Sequence, residues 1–147
     1  MIDRNRLQTK LALQKIRNMM STVRGIVILD YEENPFSEEY LQKIGYLNNS
    51  KEADLKIPYS TNANEIAAKI CDRMNIKDSQ IWYYAADGFL VKFRVTDPGT
   101  AVLDIFDKTT PNSKGFVLID ENKDTMYDFG SDSRDEENYL FDKYSLN

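Results

Sequence analysis

From residue 80 to residue 129 the chain repeats one pattern, a short apolar or alternating run followed by turn residues and then another run. Segments 80–86, 89–96, 101–107, 115–120 and 125–129 read as successive short strands. They are rich in aromatic and β-branched residues, the composition of strands. Asp87-Gly88 between the first two is a tight-hairpin signal, Asp97-Pro98-Gly99 marks a second turn, and Pro111-Asn112-Ser113 marks a longer loop. The simplest connection of these runs is a five-strand antiparallel meander, which needs helices to cover its apolar side.

The helices are legible on either side of the first strands. Nothing breaks a helix between Asp3 and Val23, and Ile2, Leu13, Ile16, Met20 and Val23 fall on one face at helical spacing. Leu7 and Leu11 fall on the opposite side, flanked by Arg4, Lys10, Lys15 and Arg17. This second stripe either packs on another part of the fold or forms a partner or dimer surface with a basic rim. Thr61 or Asn62 caps a second helix over 62–75, with Glu65 completing the capping pattern and Ile66, Ala67, Ile70, Cys71 and Met74 as its stripe.

Segment 26–31 is apolar on both faces, which predicts a strand in the middle of a packed sheet. Ser37 caps a short helix to Ile44. Segment 54–59 reads as a short strand placed at a sheet edge by Pro58. Over 133–144, Tyr139, Leu140 and Tyr144 recur behind Asp135-Glu136-Glu137, the pattern of a terminal helix with an acidic first turn. The expected architecture is a single α+β domain over 1–147, mainly an antiparallel sheet of five to seven strands packed by two or three helices. A basic helix occupies 1–24, the sheet with helix 62–75 occupies 25–129, and an acidic segment closes the chain over 130–147.

Charge follows that division. Residues 1–24 carry six basic residues and one acid, whereas residues 120–147 carry nine acids and three bases, within a chain of net charge −5. Such a balance opposes general affinity for nucleic acid or an anionic membrane. No apolar run is long enough to span a bilayer, residues 1–24 lack the apolar core of a secretory signal, and Cys71 has no second cysteine to pair with. Those features predict a cytoplasmic protein.

The 147 residues include no histidine, which removes the usual proton-transfer group near neutrality and the commonest metal ligand. Cys71 lies on an apolar helix stripe with no imidazole to activate it, and reads as a small buried hydrophobe. There is no Gly-x-Ser-x-Gly elbow, no Ser-x-x-Lys pair and no glycine-rich phosphate cradle. Asp120-Glu121-Asn122-Lys123-Asp124 with Asp128 approaches a calcium-loop register, but Thr125 and Ser131 stand at its glycine and glutamate positions; the alternative is a hairpin turn. No catalytic residue, cofactor or metal site is expected.

Surface recognition remains. On the strand reading, Trp82, Tyr84, Arg94 and Asp104 share the outer face of the sheet, unless a helix covers that face. The acidic end adds Asp132, Asp135, Glu136, Glu137 and Tyr139. In size, acidity and α+β order the chain is similar to small proteins that neutralise an enzyme, such as immunity proteins paired with bacterial toxins, or phage-encoded antagonists. Segment 55–95 also loosely resembles a β-grasp arrangement. The expectation is a non-enzymatic protein-binding protein, an acidic inhibitor or immunity protein that docks on a basic surface of a protein partner, without membrane or direct nucleic-acid contact. One alternative is a phage or mobile-element accessory protein that forms a homodimer through Leu7 and Leu11. The other is a carboxylate-dependent hydrolase.

Overall fold

A computed structural model describes residues 4–33, 52–86, 89–113, 115–132 and 135–146. In chain order the elements are α1 (Arg4–Met20), β1 (Ile26–Glu33), β2 (Leu55–Pro58), α2 (Ala63–Met74), β3 (Ile81–Ala86), β4 (Phe89–Val95), α3 (Pro98–Ser113), β5 (Gly115–Asp120), β6 (Thr125–Asp132) and β7 (Asp135–Ser145). The seven strands form one antiparallel sheet in the order β1-β4-β3-β5-β6-β7-β2. The expected α+β domain, a strand number within the expected range and the helices predicted over 3–23 and 62–75 are therefore present.

All three described helices pack on one face of this sheet. Their stripes, Ile16 and Met20 from α1, Ile66, Ala67, Ile70 and Met74 from α2, and Ala101, Val102, Ile105 and Phe106 from α3, join one core cluster. The strands contribute Trp82, Tyr84, Val91, Phe93, Val95, Phe116, Leu118, Tyr127, Phe129 and Phe141 to the same cluster. A smaller cluster of Tyr83, Leu90, Ile119, Met126 and Tyr144 lies on the opposite face, as strand alternation requires. α2 starts as its sequence predicts, with the Asn62 side chain accepting a hydrogen bond from the Glu65 amide at 2.8 Å.

Several expectations are overturned. Segment 101–107 is not a strand but the first half of α3, and Pro111-Asn112-Ser113 continues that helix rather than forming a loop. Asp97 is the reason: its carboxylate accepts from the Thr100 amide at 3.1 Å and its carbonyl from the Ala101 amide at 2.8 Å. Asp97-Pro98 is thus a helix cap followed by proline at the first helical position, where no amide proton is needed. The buried positions 101, 102, 105 and 106 have the helical period.

The predicted terminal helix is β7. The Asp135 carboxylate accepts from the amides of Glu137 and Asn138 at 2.8 and 3.1 Å, a local turn that launches an extended chain. Phe141 then sits opposite Phe129 and Leu55, and Tyr139 opposite Ile57.

Among the described residues β1 stands at an edge of the sheet rather than in its middle, with β4 on one side. Pro58 does mark an edge, since β2 closes the far end of the sheet. The simple meander is replaced by a β3–β4 hairpin, a helical crossover through α3 and a β5–β6–β7 meander. β2 lies at the opposite end from β3 and β4, so segment 55–95 does not form a β-grasp unit. The short helix predicted over 37–44 lies outside the described residues.

Candidate functional site

The surface predicted around Trp82 does not form. Trp82 pairs with Phe93 and Tyr84 with Val91, which places both on the helix-covered face; each is 5% exposed. Trp82 donates its indole N–H to Gln80 Oε1 at 3.2 Å and packs against Tyr127, ring centroids 5.7 Å apart. Burial, with Asp120 nearby as a smaller cause, raises the Tyr127 hydroxyl above its ordinary value. Arg94 is exposed on the opposite face, between Val27 and Ile81 in register. A shift of one residue in strand pairing reverses every side chain, and the sequence does not specify that pairing.

Asp104, half-way along the first part of α3, holds the fold together instead of facing an open sheet. Its Oδ2 accepts the Arg24 amide at 2.9 Å and lies 3.9 Å from the Arg24 guanidinium. Asp120, the first residue of the calcium-like run, accepts the amides of Asp124 and Thr125 at 2.8 and 3.0 Å, so its carboxylate organises a hairpin turn. Among the described residues no group of three Cys, Asp or Glu side chains gathers closely enough to hold a metal ion.

The predicted acidic end separates into structural and exposed parts. Asp135 bonds to Asn138 and lies 3.7 Å from the Lys56 ammonium. Those contacts, the Asn138 side chain first and the Glu137 amide next, hold its carboxyl below the ordinary value. Asp132 ends β6 opposite Asp135 in register. Glu136 and Glu137 are exposed. Beside them, the half-buried Tyr139 meets Tyr59 edge to face at 4.6 Å, and Tyr59 is 40% exposed. The Tyr59 amide bonds to the Glu137 carbonyl at 3.1 Å, so the two acids and two aromatic rings form one corner where β2 meets β7. Tyr59 is the member that sequence reading missed; it stands just after an edge proline, the one signal available.

Leu7 and Leu11 are 50% and 57% exposed. They lie on the side of α1 opposite the buried Ile16 and Met20, with the exposed Arg6, Lys10, Lys15 and Arg17 around them. Their exposure is the one expected for a surface stripe and not for an intramolecular contact.

Cys71 donates its thiol to the Pro98 carbonyl at 3.3 Å, and burial raises its pKa to about 11. A thiol so placed is a poor nucleophile. No described helix is long and apolar enough to cross a membrane. Compared with protein-family models, with curated proteins and with solved structures, the chain matches none.

Proposed function

We propose that this chain is a non-enzymatic protein-binding protein, an acidic inhibitor or immunity protein that blocks a basic site on an enzyme inside the cell. The observation that supports this reading is the β2–β7 corner, where the exposed Glu136 and Glu137 adjoin the Tyr59–Tyr139 pair. Carboxylates beside partly exposed tyrosines combine long-range steering toward a basic surface with aromatic area for the contact itself. The corner is held by main-chain pairing and by Asp135, so little ordering is needed on binding.

The test is affinity capture from the source cell with the unaltered chain and with Glu136→Lys/Glu137→Lys, followed by assay of the captured enzyme. Stoichiometric inhibition that weakens with salt and is lost in the double variant supports the reading. Capture indifferent to both changes removes the corner from it.

A second reading, an accessory protein that assembles through α1, is favoured by the exposure of Leu7 and Leu11. Under that reading Leu7→Asp/Leu11→Asp releases the partner while the corner variant retains it.

A further inference from the structure

α1 is held to the fold by one side. Ile16 and Met20 are 2% and 1% exposed, whereas Leu7 and Leu11 on the far side are 50% and 57% exposed. Gln14 and Asn18, both exposed, continue the line of the two leucines. The steps along that line are four, three and four residues, the spacing at which one helix meets another along positions a and d of a seven-residue repeat. In that register Leu7 and Gln14 take position d, and Leu11 and Asn18 take position a.

The flanks of this seam are basic. Lys10 and Arg17 fall at position g and Lys15 at position e, and all three are exposed. None of them makes an ion pair with a described residue, although Arg24, Lys56, Lys69 and Lys123 each do. The first turn of α1 carries no acid, so the positive end of the helix dipole adds to the same field.

Those charges decide which helix fits. In a parallel pair, position g of one helix faces position e of the other, so a second α1 would set Lys10 against Lys15 on both sides. In an antiparallel pair the g positions face each other, and Lys10 and Arg17 are again both cations. A helix with carboxylates at those positions turns the same contacts from repulsive to attractive. A bilayer fits less well, because half of the seam is amide and two leucines are a small face to insert. Asn18 at an a position suits a helical partner, where a polar seam residue fixes the register. α1 is already ordered by its buried side, so only the incoming helix has to lose conformational freedom.

We propose that the exposed face of α1 binds an acidic amphipathic helix of a different protein, its apolar side chains on Leu7 and Leu11 and its carboxylates beside Lys10, Lys15 and Arg17. This rests on the second reading above, that α1 is an assembly surface, and names the partner for it.

The experiment uses the full chain and two synthetic helical peptides with leucine and asparagine in the seam, one with glutamate and the other with lysine at e and g. Binding is read by fluorescence anisotropy of the labelled peptide, alongside sedimentation equilibrium of the chain alone. The expected result is a single-chain mass and binding of the glutamate peptide at least about tenfold tighter than the lysine peptide, the difference shrinking at high salt. Lys10→Glu/Lys15→Glu/Arg17→Glu is expected to reverse the preference, and Leu7→Asp/Leu11→Asp to abolish binding, both with unchanged far-ultraviolet circular dichroism because all five positions are exposed. No binding of the glutamate peptide, equal binding of the two peptides, or tighter binding of a DNA duplex or of phosphatidylserine vesicles overturns the proposal. So does a dimer of the chain that is lost in Leu7→Asp/Leu11→Asp, a result that leaves the second reading itself intact. The comparison of peptides on the unaltered chain stands even if a variant fails to fold.

Discussion

The main-chain amide of Arg24 donates to the Asp104 carboxylate at 2.9 Å, across eighty positions of sequence. This bond fastens the turn between α1 and β1 to the side of α3, with the exposed Arg24 guanidinium close by. Losing an exposed hydrogen bond of this kind, whose amide water can then reach, costs about 0.5–1.5 kcal/mol. Asp104→Ala is expected to lose that amount in urea unfolding, whereas Asp104→Asn, which keeps a side-chain oxygen, loses less. Equal losses in the two variants would assign the stability to charge rather than to the hydrogen bond.

Gly25 occupies the same junction. A Cβ there would fall against the Ala101 amide nitrogen and 2.7 Å from the Asp97 carbonyl oxygen, both main-chain atoms at the start of α3. The Gly25 carbonyl meanwhile accepts the Thr96 amide at 2.7 Å, so the backbone cannot simply withdraw. Gly25→Ala is expected to destabilise by about 1–3 kcal/mol through overpacking. Each kcal/mol corresponds to roughly 2–4 °C in calorimetric melting temperature. An unchanged melting temperature would mean that the junction is looser than described.

Asp135 gives the acid side of the stability profile. Its carboxylate is favoured in the fold by Asn138, the Glu137 amide and Lys56, so its folded value lies below its unfolded one. The unfolded chain then takes up this proton at higher pH than the native chain. The resulting stability is complete above the ordinary carboxylate range, about pH 4, and is lost as pH falls through the lowered value. Asp135→Asn is expected to flatten that part of the curve of stability against pH, measured by denaturant titration between neutral and strongly acidic pH. A variant curve parallel to that of the unaltered chain would contradict this assignment.

Cys71 is expected to resist alkylation. With a pKa raised to about 11, on the order of one thiol in a thousand is ionised at pH 8. Iodoacetamide labelling followed by mass spectrometry should be slow in the native chain and rapid in denaturant. Fast native labelling would place the thiol in a more exposed setting than the one beside Pro98.

What the sequence revealed, and what it concealed, follows from the range over which each signal acts. The α2 cap at Asn62, the edge proline at 58 and the buried Ile16, Met20 and Val23 of the first stripe are local signals found where they were expected, while Leu13 of that stripe is only half-buried and Ile2 lies outside the described residues. The α3 error came from reading Asp97-Pro98-Gly99 as a turn, because proline at the first helical position carries the same letters as proline in a turn. Tyr139, Leu140 and Tyr144 fit a helix by spacing alone. Their partners Ile57, Lys56, Gly130 and Met126 are distant in sequence, and those pairings make the segment a strand. The same blindness to pairing put Trp82 and Arg94 on one face. Exposure of Glu136, Glu137, Leu7 and Leu11 agreed with the surface reading because charged and basic-flanked positions are set by local composition.

The β2 edge of the sheet also limits growth. A four-residue border that finishes in proline is a poor template for an added strand, so among the described strands the β2 side of the sheet resists open-ended growth into a fibril.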